Sequence, residues 1–191
     1  AGCTRTLRRT LRHVEPDSIG LNVPGDGASL PAYAGAMDLV AELAHERRAV
    51  ADMLESLTDE QWATASLAQG WTVRNVAAHL VMPFRYSMPK IMWQMLKAKG
   101  DFNKAADRVA RRDAQSLSSA QIVDLLRANA DHRFKPPGAE HDAPLSDIIV
   151  HGLDMRVPLG IERDIPTDRL RPVLSLAMLP KTQKFYGHDL S

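Results

Sequence analysis

The sequence predicts an all-α domain, a bundle of antiparallel helices. Three observations carry that prediction. Apolar residues recur at three- and four-residue spacing from Ala36 onward. No segment alternates apolar and polar residues as a half-buried strand would. Capping residues, Pro and Gly divide the chain into helix-length pieces. Of the 191 residues, 45% are hydrophobic and 25% charged, an ordinary globular composition that suffices for one core.

The elements follow in order. Residues 1–35 hold five of the 11 glycines together with Pro16, Pro24 and Pro31, and no helical periodicity. They read as a flexible N-terminal extension. The turn at Val23–Gly27 is not followed by Gly-Lys-Ser/Thr, so it is not read as a phosphate loop. Met37 would make a sensible natural start. The bundle is expected over residues 36–180. Its first helix carries Val40, Leu43, Val50, Leu54 and Leu57 on one face with Arg47 in the stripe, and Glu42, Glu46, Arg48 and Asp52 on the others. Thr58 and Gln61 have capping-box spacing and open a short helix. Gly70 ends it, and Thr72 caps a helix whose apolar face is Val73, Val76, Ala77, Leu80 and Val81. Pro83 should kink that helix. A further helix starts near Asp101 and breaks around Ser116. Ser118 and Gln121 then start another, through Ile122, Leu125 and Leu126. Lys135-Pro136-Pro137-Gly138 is a stop. Leu145 to Met155 reads as a helix closed by Pro158-Leu159-Gly160. Pro166 to Leu179 reads as a last one, with Pro172 as a point of interruption. Residues 181–191 read as a tail.

Composition excludes several functions. The 24 basic and 23 acidic residues leave a formal charge of +1, which argues against nucleic acid as a partner. No run of roughly 18 apolar residues exists, so no membrane-spanning helix is expected. The basic N-terminus lacks the apolar stretch of a secretory signal. The single cysteine, Cys3, rules out an intrachain disulfide and a multi-cysteine zinc site. The reducing cytoplasm is the expected compartment.

Five of the seven histidines (His13, His45, His132, His141 and His188) fall in tails, loops or polar faces. His79 and His151 instead lie in apolar helical surroundings. Asp147 stands four residues before His151, so both project from one helix face. Such a pair can hold one metal ion, with His79 of a neighbouring helix as third ligand and open positions left for chemistry. The set suits zinc and also iron(II) or nickel(II). The same spacing equally fits an acidic residue favoured near a helix start, followed by a hydrogen-bonded core histidine. Asp154 can orient a ligand or pair with Arg156. Arg47 can take a substrate carboxylate or snorkel to solvent. Met82, Met88, Met92 and Met95 crowd around Trp93, as a pocket lining or as core or dimer packing.

Two stretches add a resemblance. Gly70-Trp71-Thr72-Val73-Arg74-Asn75-Val76-Ala77-Ala78-His79-Leu80 resembles the GWTVRDVVAHL signature of the mycothiol-dependent maleylpyruvate isomerase family, a branch of the DinB-like superfamily. Pro144 to Gly160 resembles the same family's carboxylate-x-x-x-His-Gly-x-Asp-x-Arg-x-Pro-Leu-Gly stretch. The resemblance spans roughly residues 37–180. It implies a DinB-like four-helix bundle with a divalent metal on His79, Asp147 and His151, zinc first, with nickel or iron as alternatives. It also implies mycothiol or a similar low-molecular-weight thiol as cosubstrate and a small electrophile as the other partner. The activity implied is isomerisation or S-transfer, with the metal activating the thiolate. The alternative is a non-catalytic bundle that binds a ligand or forms a homodimer through the Met-rich segment. Asp147 replaces the family's usual Glu. Asn75 replaces its Asp, which predicts a weaker capping box. By the same resemblance, characterised relatives carry a further small α/β domain, whereas this chain stops at Ser191. The resemblance therefore reads it as a bundle without a C-terminal α/β domain, or as a truncated member.

Overall fold

The computed structural model describes residues 38–135 and 139–178. The expected extension over 1–35 and the tail over 181–191 lie outside the described residues, as do His13 and His188. Asp38 opens the first helix, α1 (Leu39–Glu55), by accepting hydrogen bonds from the Val40 and Ala41 amides. Thr58 and Gln61 form the expected capping box of α2 (Asp59–Ala63). Thr72 and Asn75 form that of α3 (Val73–Leu80). Asn75 Oδ1 accepts the Thr72 amide at 3.0 Å, so the box forms with asparagine in place of the family's aspartate.

The chain beyond α3 does not continue as one kinked helix. It breaks at Val81 into a single turn, α4 (Met82–Arg85), and restarts as α5 (Met88–Lys97) with Pro89 in the first turn, where a missing N–H costs nothing. Next come α6 (Phe102–Ser116) and α7 (Ser119–Ala128), the latter with the expected Ser118/Gln121 box. The eighth helix, α8 (Asp142–Leu159), starts a turn before the Leu145 expected from sequence. Pro144 sits in its first turn, where proline is tolerated. Gly160 ends α8 with φ of 66°, a left-handed cap. The last described helix, α9 (Thr167–Met178), runs through Pro172 without interruption.

The bundle has four columns: α1, α3, α6 with α7, and α8. α1 packs on α7 and α8, α3 packs on α6 and α8, and α9 lies against α8. No strand occurs among the described residues. The core unites Leu43, Val50 and Leu54 of α1 with Val73 and Val76 of α3, Ile122 and Leu126 of α7, and Leu145 and Met155 of α8. Each fully buried aliphatic side chain contributes about 2 kcal/mol of transfer free energy.

Two readings of side-chain placement are corrected. Glu46 was expected on the polar face of α1 but is 1% exposed. It accepts from Arg163 at 2.8 Å and from Arg169, binding α9 and the loop before it to α1. The Met-rich segment is not core: Met92, Trp93 and Leu96 of α5 face solvent.

Candidate metal centre

The site is built where the end of α3 meets the middle of α8. His79 lies in the last turn of α3. Asp147 and His151 lie one turn apart on α8, as their spacing requires. Asp147 Oδ1 is 3.7 Å from His79 Nε2 and 3.6 Å from His151 Nε2. One ligand atom from each residue lies within 4.8 Å of the others. The two rings meet edge to face, with centroids 5.0 Å apart. Both imidazoles are nearly buried, whereas the Asp147 side chain is 46% exposed, which leaves the cluster open on one side.

Asp154, expected either to orient a ligand or to pair with Arg156, has a fully buried carboxylate that meets His151 Nδ1 at 2.9 Å, while Arg156 donates to the Ala49 carbonyl. With Asp154 on Nδ1, His151 Nε2 is the ring nitrogen on the Asp147 side. This is how protein metal sites fix the tautomer of a ligand histidine. His79 Nδ1 is buried without a hydrogen-bond partner among the described residues. Two imidazole nitrogens and one carboxylate converging on one open point fit a divalent cation with free positions.

The electrostatics follow from these contacts. Desolvation pushes the Asp147 carboxyl up, but the adjacent His79 imidazole and the charges of His151 and Arg47 overcome it and hold the group at about 2. Burial alone would lower His151. The Asp154 hydrogen bond, with the Asp147 and Asp154 charges, raises it instead.

Trp71 forms one wall, a role that its place in the motif did not disclose. Its ring centroid is 5.4 Å from that of His79 and 6.2 Å from that of His151. Its Nε1 donates to Asp107 at 2.7 Å. Arg111 bridges Asp107 and the Gly70 carbonyl, both at 2.8 Å. The loop that presents Trp71 is short and closed. The Ser66 amide donates to the Trp71 carbonyl, and Gly70 takes a φ of 76° that only glycine adopts without strain. Pro158 ties this loop to α8. Proline has no N–H to give the carbonyl four residues earlier. That freed carbonyl belongs to Asp154, and it accepts the Leu67 amide at 3.0 Å.

Arg47 does not snorkel. It is 4% exposed, and its Nη1 donates to the carbonyls of Asn129, Ala130 and His132 at the end of α7. Its guanidinium stands over Phe84 of α4, 5.0 Å from the ring centroid. α4 is itself anchored by Arg85 and Tyr86, which reach the buried Asp113 at 2.6 and 2.7 Å. His132 and His141 stay outside the cluster, and His45 is exposed.

Compared with known protein families, residues 43–148 match the mycothiol maleylpyruvate isomerase N-terminal domain. The match covers more than half of the chain. The chain belongs to this family. The family is part of the DinB-like superfamily, to which the all-α bundle conforms. The matched region takes in His79 and Asp147 and ends before His151. No curated protein and no solved structure matches the chain. Membership makes this a protein related to mycothiol chemistry. No helix among the described residues is long and apolar enough to cross a membrane.

Proposed function

We propose that the protein is a divalent-metal-dependent enzyme that uses a mycothiol-like thiol for isomerisation of, or S-transfer to, a small electrophile. The observation that carries this reading is the convergence of His79, Asp147 and His151, from two helices, on one partly open point. Family membership supports the choice of thiol. The three residues would hold the ion, with zinc the metal proposed first. When bound, the ion stabilises a thiolate at neutral pH, where a free thiol with a pKa of about 8.5 is mostly protonated. Asp154 keeps a proton on His151 Nδ1, so that Nε2 stays available. Trp71 covers the imidazoles on one side and confines access to the exposed Asp147 side. The reaction class is addition of the thiol sulfur to an activated double bond. Expulsion of the thiol after bond rotation gives isomerisation, and release of the conjugate gives S-transfer.

The test is elemental analysis of the purified full chain beside His79→Ala and His151→Ala. About one equivalent of divalent metal is expected in the parent and none in the variants. Thiol consumption with mycothiol and an electrophile should follow metal content. A parent that takes up no metal on reconstitution contradicts the proposal. A second reading, a non-catalytic bundle that dimerises through α5, is favoured by its exposed Met92, Trp93 and Leu96. Sedimentation of Trp93→Glu against the parent tests it.

A further inference from the structure

The two histidines of the centre are held by different means. His151 has the Asp154 carboxylate on its Nδ1. His79 has no such partner: its Nδ1 is buried and makes no hydrogen bond among the described residues. A ligand histidine is ordinarily turned and held by an acceptor on the ring nitrogen that does not face the ion. Without one, the orientation of the His79 ring depends on what packs against it. Its ring neighbours are His151, with centroids 5.0 Å apart, and Trp71, 5.4 Å away and tilted by 52°. His151 belongs to the same pair, so the outside reference for His79 is the indole.

Trp71 precedes α3 and is placed from across the bundle. Its Nε1 donates to Asp107 Oδ1 of α6 at 2.7 Å, a bond to a carboxylate and so about twice as strong as a neutral one. The same Oδ1 accepts Arg111 Nε at 2.8 Å, one turn along α6, and Arg111 Nη2 donates to the Gly70 carbonyl. The two α6 residues divide the work. Arg111 holds the loop backbone beside Trp71, whereas Asp107 holds the indole. Loss of Asp107 therefore frees the ring without releasing the loop. Both side chains are half-exposed, so the apolar core does not depend on either.

We propose that Asp107 is a positioning residue of the candidate metal centre, acting through Trp71 to set the His79 ring. The proposal rests on the metal reading above and extends it to a third helix, since the ligands themselves come from α3 and α8. Asp107 is not one of the three ligands. It fixes the indole, and the indole does for His79 what Asp154 does for His151.

The experiment compares the full chain with Asp107→Ala, Asp107→Asn, Trp71→Phe and the double variant Asp107→Ala/Trp71→Phe. Zinc affinity is measured by competition with a chromophoric chelator. Asp107→Ala should weaken it about tenfold, the lower end of what outer partners of a metal ligand are worth. Asp107→Asn loses the charge but keeps an oxygen for the indole N–H, and should stay within about twofold of the parent. Trp71→Phe has no N–H to hold, so adding Asp107→Ala to it should change affinity by less than about twofold. The His79 ring-proton resonances, which feel the ring current of the indole, should move in Asp107→Ala and stay in place in Asp107→Asn. A role in stability alone would leave them unmoved in both. Equal losses in Asp107→Ala and Asp107→Asn assign the effect to charge and overturn the proposal. So does an undiminished effect of Asp107→Ala in the Trp71→Phe background, or an unmoved His79 ring. A parent that takes up no zinc defeats the metal reading instead, and the His79 resonances of the metal-free chains then still decide whether Asp107 sets that ring.

Discussion

Asp154→Asn isolates the electrostatic part of the candidate centre. Asp154 is fully buried, and its Oδ2 lies 2.9 Å from His151 Nδ1. Asparagine keeps the shape and can still accept the Nδ1 proton through its amide oxygen, but it removes the negative charge. Orienting carboxylates behind ligand histidines are worth about 10- to 100-fold in metal affinity. That range corresponds to about 1.4–2.8 kcal/mol. Asp154→Asn should therefore weaken zinc binding by that factor, measured by competition with a chromophoric chelator, without abolishing it as His151→Ala does. The metal-free chain offers a second reading of the same contact. Desolvation lowers His151, and the Asp154 hydrogen bond and the Asp147 and Asp154 charges outweigh it and raise the ring above its ordinary 6.5. A raised folded-state value means a contribution to stability that is complete below about pH 6.5 and lost as pH rises through the folded value. Asp154→Asn should lower the His151 midpoint in an NMR titration and flatten that slope of stability against pH. Zinc affinity within twofold of the parent, with an unmoved His151 midpoint, would refute the claim that Asp154 positions His151.

Four further predictions concern neighbouring residues. Asp147→Glu should retain about one equivalent of metal by elemental analysis, because the half-exposed Asp147 side chain has room to extend. In the metal-free chain, Asp147 lies at about 2 against an ordinary 3.8, so its contribution to stability is present above 3.8 and lost as pH falls towards 2. Asp147→Asn should show no such loss in acid-denaturation curves. Gly152→Ala would place a Cβ 2.9 Å from Arg156 Nη1 and 3.5 Å from Val50 Cγ2. Arg156 would have to leave the Ala49 carbonyl, a loss of about 2 kcal/mol offset by roughly 1 kcal/mol of helix propensity. Urea denaturation should show a net loss of about 1 kcal/mol, and a gain would mean that Arg156 finds another place. Glu46→Gln removes the carboxylate shared by Arg163 and Arg169, while Glu42 still pairs with Arg169, and should cost about 2 kcal/mol in the same assay.

Much of this protein was legible in the residues alone, for a physical reason that particular elements show. The Thr58/Gln61, Thr72/Asn75 and Ser118/Gln121 boxes involve groups three residues apart, so sequence spacing nearly determines their geometry. The Asp147–His151 pair is likewise one turn of one helix. The pairing with His79 followed from the apolar setting of both histidines and from the resemblance of the two motifs. What sequence could not decide is the fate of side chains whose partners lie far along the chain. Glu46 reads as an exposed helix residue until α9 brings Arg163 and Arg169 against it. Arg47 is ambiguous by itself, and the carbonyls at the end of α7 make it a buried cap. Asp154 faces His151 and not Arg156 because Arg156 is drawn to α1. Periodicity likewise could not show that, among the described residues, Met92, Trp93 and Leu96 of α5 would be left exposed. Local hydrogen bonds obey spacing. The burial of charge and the exposure of apolar surface depend on which helices meet, and only the packed bundle decides that.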